Sequence, residues 1–425
     1  MNPARTASKA NKASKASSTP EFDVAALRAQ FPVLARALNG KPLAYLDNAA
    51  TTQKPRCVLD AILAFYEECN ANVHRAAHGL ATEATERFEG ARAKTAAWIN
   101  AATPEQLVWT RGTTEAINLV AAGLDARLAP GDEILVSMLE HHSNFVPWQQ
   151  LALRTGAQLR LVPLTASGEL DASDIETLLN PRTRVLALTH VSNALGTEVD
   201  VAPWVERARE LGCVTLLDGA QAMAHLRVDV QALGCDFYAF SGHKMYGPTG
   251  IGALYGRREA LLALPPWQFG GEMIRDVRVE ASTWNDLPYR FEAGTPHLDG
   301  AIGLGAAIGF LATLDHGAVL AHEQRLRLRT EAGLRQMPGV RIVGEAARKS
   351  AVVSFVVEGA HPHDVGTLLD AQGVAVRTGH HCTMPLMRSL GLPGGTVRAS
   401  FALYNDDADV DRLLTAVDKA LTMLR

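Results

Sequence analysis

The sequence has few cysteines, and no two of them are closely spaced. The five, Cys57, Cys69, Cys213, Cys235 and Cys382, form no CxxC or CxC pair. An odd, scattered set argues against a disulfide framework and against a cysteine zinc site. The first four lie in ordinary helix or strand patterns and are interpreted as small buried hydrophobes. We therefore expect free cysteines in a reducing cytoplasm.

Long apolar runs and an excess of one charge are also missing. The longest uncharged apolar stretch, Ala301–Leu314, is too short to span a bilayer and is predicted to be a buried helix. The chain carries 41 basic and 45 acidic residues, a net charge of −4, which argues against a nucleic-acid-binding body. No charged-then-apolar signal segment opens the sequence. We expect a cytoplasmic protein with neither a membrane nor a nucleic acid as partner.

Residues 1–20 contain no acid and no Val, Ile, Leu or aromatic residue. Such a segment buries too little surface to offset its ordering entropy, so it is predicted to be a disordered basic tail. A transit peptide is the alternative, but the single arginine, Arg5, and the lack of amphipathic hydrophobes make it the weaker interpretation.

From Phe22 onward, short apolar strands alternate with helical stretches, which predicts an α/β fold with a mostly parallel sheet covered on both faces. Helices are expected at 115–124, 145–154, 172–179 and 203–211. The predicted strands number seven: Gln106–Thr110, Glu133–Ser137, Gln158–Val162, Arg184–Thr189, Val214–Asp218, Asp236–Phe240 and Ile251–Tyr255.

After about residue 300 the pattern changes to a long helical stretch, 301–335, followed by short strands and helices. Strands are expected at 340–343, 351–357, 374–377 and 397–400, and a final helix at 407–424. This pattern predicts a second, smaller α+β domain.

Ligands of parallel sheets bind at the carboxyl ends of the strands, so these ends identify the candidate site. After the first predicted strand, Gly112, Thr113 and Thr114 precede a helix. Free backbone N–H groups and the helix dipole there favour a phosphate. Taken alone this signal is weak, because an ordinary N-cap explains either threonine equally well.

Three further strand ends carry side chains of a different kind. His141 follows the second predicted strand and could stack on a flat ligand, although a surface histidine pair with His142 explains it too. Asp218 ends an apolar strand, where a carboxylate is costly without a cationic partner. Lys244 follows the sixth strand; most lysines are simply solvated.

One cofactor accounts for all these residues together. Pyridoxal 5′-phosphate needs a lysine that binds its aldehyde, an acid facing its ring nitrogen, a phosphate cradle and often a stacked ring. Lys244, Asp218 and His141 supply the lysine, the acid and the ring. The cradle is predicted to comprise Thr113, Thr114, Ser241 and His243. Each motif is weak, but the set is strong.

Several stretches also resemble the class V aminotransferase family of fold-type I pyridoxal enzymes, and within it the SufS-type, group II cysteine desulfurases. The similarity runs from about residue 22 to the end. It is carried by DGAQ (218–221), TRGTTEAINLVA, EHHSNFVPWQ, THVSNALGTE, DFYAFSGHKMYGPTGIG, RFEAGTP and VRTGHHCTMPLM. One departure is Thr383, where a small apolar residue is expected.

The resemblance implies a fold-type I enzyme with an N-terminal arm at 21–45 that packs on the small domain. The large cofactor-binding domain would span 46–305, with a mostly parallel seven-stranded sheet. The small C-terminal domain at 306–425 would carry the catalytic cysteine loop. It also implies a homodimer, because Thr295 would reach the phosphate of the other subunit's cofactor.

The resemblance further implies a role for each site residue. Lys244 would carry the cofactor, with Asp218 at the pyridine nitrogen, Gln221 at the phenolic oxygen and His141 stacked on the ring. The substrate carboxylate would be held by Asn193 and Arg398, with Arg377 nearby. Cys382 would be the nucleophile that takes sulfur. His380, His381 and Arg377 would place positive or polar groups near its thiolate.

The predicted activity is therefore removal of sulfur from L-cysteine, giving L-alanine and a persulfide on Cys382. The family implies transfer to a SufE-like or SufU-like acceptor for iron–sulfur cluster assembly. Three alternatives stay open. A selenocysteine lyase or cysteine sulfinate desulfinase would use the same site. A class V aminotransferase or kynureninase-like enzyme would not need Cys382. A pyridoxal-dependent regulator would need a DNA-binding domain that residues 1–20 are too short to form.

Overall fold

The computed structural model describes residues 22–75 and 77–424, so the predicted tail at 1–20 lies outside the described residues. Its helices are α1 (Val24–Arg28), α2 (Arg56–Glu68), α3 (Gly79–Trp98), α4 (Thr113–Gly123), α5 (Val146–Thr155), α6 (Ile175–Leu178), α7 (Ala202–Glu210), α8 (Ala222–His225), α9 (Val230–Leu233), α10 (Arg258–Leu262), α11 (Leu298–Leu311), α12 (His316–Arg335), α13 (Pro362–Asp370), α14 (Met384–Ser389) and α15 (Asp407–Leu424).

Its strands are β1 (Ala37–Leu38), β2 (Lys41–Pro42), β3 (Ala44–Tyr45), β4 (Leu107–Thr110), β5 (Glu133–Ser137), β6 (Gln158–Val162), β7 (Thr183–Thr189), β8 (Val214–Asp218), β9 (Phe237–Ser241), β10 (Gly252–Gly256), β11 (Ile274–Val277), β12 (Ser282–Trp284), β13 (Val340–Val343), β14 (Val352–Val357), β15 (Val374–Ala375), β16 (Arg377–Gly379) and β17 (Thr396–Ser400).

The seven predicted strands of the first half form one sheet in the described chain, in the order β4-β10-β9-β8-β7-β5-β6. β10 pairs antiparallel with both neighbours, and the other paired strands run parallel. The sheet is apolar on both faces: in β5, Leu135 joins one core cluster while Ile134 and Val136 join the other. The predicted α/β class with a mostly parallel sheet is confirmed.

Helices cover both faces of this sheet. α4 and α5 pack on one face, while α11 packs against α2 and α3 on the other. Every residue of β4, β5 and β9 is buried. The sequences of these strands are therefore continuous apolar runs rather than alternations of apolar and polar residues.

A second sheet, β13-β14-β17-β16, is antiparallel throughout. Its apolar face meets α13 and α15, which bury Val365, Leu369, Val410, Leu413 and Val417. In the last helix, α15, the apolar spacing places Val410, Leu413 and Val417 on one stripe, as the sequence predicts. This α+β unit forms the far side of the cleft described below.

The segment at 22–45 contacts this unit closely. β3 pairs in parallel with β15, and Arg28 forms an ion pair with Asp409 at 2.8 Å. The Phe31 ring contacts Tyr404, also in the second half of the chain.

Several predicted boundaries differ from the structure. The helix predicted at 172–179 is reduced to α6, because the Asp171 carboxylate accepts the Ser173 N–H at 3.0 Å and holds a turn there. The strand predicted at 374–377 divides in two, β15 pairing with β3 and β16 with β17.

The proposed boundary at residue 305 lies inside α11, which packs on α2 and α3. The chain changes direction after Leu311, where α11 and α12 meet at 88°. The domain limits stay a prediction. Within residues 22–75 and 77–424, no single helix is long and apolar enough to cross a membrane; only that sharply bent pair passes such a test together.

Candidate active site

β4, β5, β7, β8 and β9 all end at one edge of the large sheet, and a cavity of about 190 Å³ lies between this edge and the small sheet. It contains nearly every predicted site residue. Those lining it are Thr113, Thr114, His141, Asn193, Asp218, Gln221, Ser241, His243, Lys244, Arg377, Cys382 and Arg398. The topology thus brings together residues that are up to 285 positions apart, from Thr113 to Arg398.

One corner of the cavity is rich in hydrogen-bond donors. Gly112 precedes α4 with φ +146°, and a Cβ there would lie 3.0 Å from Ser241 Oγ. Ser241 Oγ accepts the Thr113 N–H at 2.9 Å and lies 2.8 Å from Thr113 Oγ1. Two hydroxyls beside the amino end of an eleven-residue helix suit a phosphate group.

Half-buried Lys244 and buried Asp218 both line the cavity. Burial lowers the pKa of Lys244 to about 8, although the Asp218 carboxylate partly opposes this. Burial raises the pKa of Asp218, while the Ala220 N–H at 2.9 Å and the charge of Lys244 act in the other direction. Among the described residues, the Lys244 ammonium has no hydrogen-bond partner. The Lys244 amine and the Asp218 carboxylate are therefore both available to bind a ligand.

His141 is neutral in this setting. Burial, then the nearby charge of Lys244, lowers its pKa to about 3. Its Nδ1 accepts the Ser143 N–H at 3.1 Å and lies 2.8 Å from Ser143 Oγ, so Nε2 carries the ring proton. The ring is therefore fixed at the cavity wall as an uncharged aromatic surface.

Two other predicted residues beyond the strands of the large sheet, Gln221 and Asn193, donate hydrogen bonds to backbone carbonyls, and a third, His243, has a shifted pKa. Gln221 Nε2 donates to the Ala49 carbonyl at 2.6 Å. Asn193 Nδ2 donates to the His381 carbonyl at 2.7 Å, which ties the end of β7 to the cysteine loop. Burial lowers the pKa of His243 to about 4, with Lys244 and Lys54 contributing, so its ring is a neutral donor or acceptor.

On the opposite wall, Arg398 is a buried cation. Its Nη2 lies 3.0 Å from Asp47 Oδ1, its Nη1 donates to the Asn193 carbonyl at 2.9 Å, and its Nε has no partner within residues 22–75 and 77–424. Arg377 Nη1 lies 3.5 Å from the other oxygen of Asp47. Asp47 is therefore the acid that pairs with both arginines.

Cys382 lies in a strained loop. His381 and Cys382 both have left-handed backbones, with φ +52° and +58°, which non-glycine residues rarely adopt. Thr383, the one departure from the family pattern, is buried in this loop. Its hydroxyl donates to the His380 carbonyl at 2.8 Å, and this bond accounts for a polar residue at that position. The Cys382 side chain faces the cavity and the residue is exposed.

His381, beside Cys382, is a polar group rather than a cation. Burial, then the Arg398 charge, lowers the pKa of His381 to about 2, and its Nε2 lies 2.8 Å from Thr396 Oγ1. His380 Nε2 contacts the Pro393 carbonyl at 2.7 Å. Arg398 and Lys244 place positive charge near Cys382, and Arg377 lines the same cavity.

Thr295 lies away from this cavity. It lines a second one of about 580 Å³ together with Trp109, Arg111 and Trp267. Its predicted contact with another subunit's cofactor stays a prediction.

Sequence reasoning missed Asp47 and Glu140. Glu140 is buried and accepts hydrogen bonds from the Ser137 hydroxyl, Asn144 Nδ2 and the Thr189 N–H; burial raises its pKa to about 8. A carboxylate directly after a strand, as for Asp218, is the signal that could have found Glu140. Asp47 follows β3 in the same way, but its partners are far away in sequence.

Comparison with known proteins identifies the family. A sequence model described as aminotransferase class-V matches residues 44–413. The chain belongs to the class-V aminotransferase family. The predicted resemblance is confirmed at this level.

Relatives within the class-V family are similar over nearly the whole chain. A probable cysteine desulfurase of Pseudomonas aeruginosa is 51% identical over 398 residues, covering 94% of this chain and 98% of the relative. The crystal structure of the cysteine desulfurase CsdA from Escherichia coli is 45% identical with a TM-score of 0.89, covering 95% of this chain and 100% of that one. A C-DES mutant with glycine covalently linked to its PLP cofactor is 26% identical, with a TM-score of 0.78 and coverage of 92% and 98%.

Proposed function

We propose that this chain is a pyridoxal-phosphate-dependent cysteine desulfurase that converts L-cysteine to L-alanine and leaves a persulfide on Cys382. The observation that carries the proposal is one cavity with Lys244 near Asp218 on the sheet side and exposed Cys382 on the other. Lys244 has no hydrogen-bond partner among the residues that the structure describes. The relatives named cysteine desulfurase support the same reaction.

The donor set fits pyridoxal 5′-phosphate. The phosphate would be held by Thr113, Thr114, Ser241 and His243, the aldehyde by Lys244, the ring nitrogen by Asp218, the phenolic oxygen by Gln221 and the ring face by His141. The unpartnered amine of Lys244 and the close approach of Gly112 to Ser241 are the features that fit this group. When bound, the cofactor supplies an electron sink for the substrate's α-carbon.

Arg398 binds the substrate first. Its Nε is buried without a partner, and a substrate carboxylate can share the guanidinium with Asp47. Asn193, beyond the end of β7, and Arg377, on the wall of Arg398, also line the cavity and assist in holding this group. The carboxylate thereby places the α-carbon between the two walls.

Lys244 then moves the proton. Because its pKa is lowered to about 8, the Nζ atom can take the proton from the substrate's α-carbon near neutral pH and return one later. Neutral His141, with its proton on Nε2, lines the same cavity as Lys244.

Cys382 takes the sulfur. Its thiolate attacks the substrate sulfur, a new S–S bond forms, and the C–S bond breaks with its electron pair going to the substrate carbon. That carbon gains a proton, and alanine leaves. The sum is L-cysteine plus the Cys382 thiol giving L-alanine plus the Cys382 persulfide.

The persulfide is suited to delivery to another protein. Cys382 is exposed, and Met384 beside it is 42% exposed, so the loop presents both the sulfur and an apolar contact. We propose a SufE-like or SufU-like acceptor, iron–sulfur cluster assembly as destination, and the cytoplasm as location. We also propose a homodimer in which Thr295 reaches the partner's cofactor from the second cavity.

The deciding experiment measures alanine and sulfide formed from L-cysteine by the purified, cofactor-loaded protein, with and without a SufE-like or SufU-like acceptor. Stoichiometric alanine and acceptor-stimulated turnover are expected. Selenocysteine and cysteine sulfinate are assayed in parallel, because the same cavity would accept them. Turnover of those two with no reaction of cysteine would replace the proposal by a selenocysteine lyase or a cysteine sulfinate desulfinase.

A further inference from the structure

The second histidine of the pair after β5 has no part in the mechanism above, yet it contacts the Cys382 loop twice. The His142 backbone N–H donates to the Cys382 carbonyl at 2.7 Å. The Met384 N–H donates to His142 Nε2 at 3.0 Å. His142 is half-buried and belongs to the large-sheet side of the cleft, whereas both partners belong to the opposite side.

These two bonds attach to the loop at its second strained residue, Cys382, and two positions later, at Met384. The left-handed residues His381 and Cys382 need surrounding contacts to persist, because an unsupported chain would leave this region of backbone space. Bonds within the loop, such as Thr383 N–H to the His380 carbonyl at 2.9 Å, set its shape only. Across the cleft, the described structure ties it through His142 and through Asn193 to the His381 carbonyl.

The ring must be neutral at Nε2 to accept the Met384 N–H. Burial, then the nearby His380, lowers the pKa of His142, which keeps this lone pair available. The bond also satisfies the first N–H group of α14, which has no side-chain cap from Thr383. The acceptor therefore serves the loop and the helix that follows it.

We propose that His142 is a positioning residue: its Nε2 lone pair fixes the Cys382 loop across the cleft and aims the thiol at the substrate sulfur. This inference rests on the proposed role of Cys382 as sulfur acceptor. It assigns His142 no contact with substrate or cofactor.

The test compares His142→Leu, which removes the acceptor at similar size, with His142→Gln, whose amide oxygen can replace Nε2. The matched control is His361→Leu. His361 is exposed, whereas His142 is half-buried, but its ring likewise accepts a backbone N–H, from His363 at 3.2 Å, within its own helix terminus. The first readout is amide hydrogen exchange of the peptide spanning 380–390. The second is the single-turnover rate at which Cys382 gains sulfur, measured separately from cysteine binding.

For His142→Leu we expect faster hydrogen exchange of this peptide and sulfur transfer that is about tenfold slower. This effect corresponds to the loss of roughly one hydrogen bond. Cysteine binding should not change. His142→Gln should recover most of both readouts, and His361→Leu should match the parent protein.

Parent-like exchange and sulfur transfer in His142→Leu would overturn the inference, as would a Gln variant as impaired as the Leu variant. The exchange readout is independent of turnover. If the parent protein forms no alanine from cysteine, the proposed function fails. The contact of His142 with the Cys382 loop is still tested by the hydrogen exchange of the 380–390 peptide.

Discussion

The two walls of the cavity are built in different ways. The sheet wall, formed by Thr113, His141, Asp218, Ser241 and Lys244, consists of residues at or just beyond strand and helix ends. Two of its members are fixed by neighbours two positions away, His141 by Ser143 and Asp218 by Ala220. The loop wall, residues 377–384, is anchored by contacts from far along the chain: 188 positions separate Asn193 from His381, and 242 separate His142 from Met384.

This difference separates two tasks. The sheet wall is largely buried and stands on strand and helix ends, as suits a site that must hold a cofactor in one geometry. The loop wall is strained and exposed, with Cys382 and Met384 open to another protein. Mutations in the first should remove the chemistry, whereas those in the second should uncouple sulfur transfer from cofactor and cysteine binding.

The largest effect is expected for Lys244→Ala, because this change removes both the covalent attachment point and the base. Turnover should fall by several orders of magnitude, and the visible absorption of the covalently bound cofactor should be lost. Exposed Lys94→Ala is the control and should leave both unchanged. Full cysteine turnover by Lys244→Ala would contradict the assignment of the sheet wall as the cofactor site.

Cys382→Ala should separate the walls most clearly. No predicted cofactor contact is removed, so cofactor absorption and the spectral response to added cysteine should persist, while sulfur transfer to an acceptor falls by orders of magnitude. Cys57→Ala is the matched control, since Cys57 is the other exposed cysteine of the chain. Sulfur transfer by Cys382→Ala at the parent rate would mean that another residue is the carrier.

Arg398→Lys tests a contact between the two sides of the cavity, since Arg398 donates to the Asn193 carbonyl. Lysine keeps the charge beside Asp47 but loses the planar fork, and one charge-assisted hydrogen bond is worth about 1.5–3 kcal/mol. The cysteine concentration needed for half-maximal rate should rise about tenfold or more, with cofactor affinity unchanged. Exposed Arg341→Lys serves as control. An unchanged requirement for cysteine together with lowered thermal stability would make Arg398 structural and leave Arg377 as the next candidate.

The smallest effect concerns a buried pair that links the two halves of the chain, His225 on α8 and Glu323 on α12, with Nδ1 and Oε2 2.7 Å apart. Burial opposes the charged ring, but the Glu323 carboxylate outweighs it and raises the pKa of His225. The folded state therefore binds this proton more tightly than the unfolded state. The stability it contributes is complete below the ordinary histidine pKa and is lost as pH rises through the raised value.

Thermal unfolding between about pH 6 and about pH 9 measures this contribution. The melting temperature of the parent protein should fall more over this range than that of His225→Gln, which cannot titrate. Parallel pH profiles for the two proteins would show that the pair does not link the halves through its charge.

Much of the sheet wall could be predicted from the sequence, because apolar strands, glycine and small polar residues follow one another locally. Strand order then places Thr113, Asp218 and Lys244 in one cavity. The role of Asp47 could not be predicted, since its partners Arg377 and Arg398 lie over 300 positions away. Nor could the neutral state of His381, which follows from burial that only the folded chain creates.

The central claim is that sulfur moves from cysteine in the sheet wall to Cys382 in the loop wall. Its most direct test is one turnover of cysteine without acceptor, followed by mass spectrometry of all cysteine peptides and measurement of alanine. The account predicts one alanine for each sulfur atom gained, all of it on the peptide containing Cys382. Alanine formed with no sulfur on that peptide, or with sulfur on Cys57 instead, would contradict it.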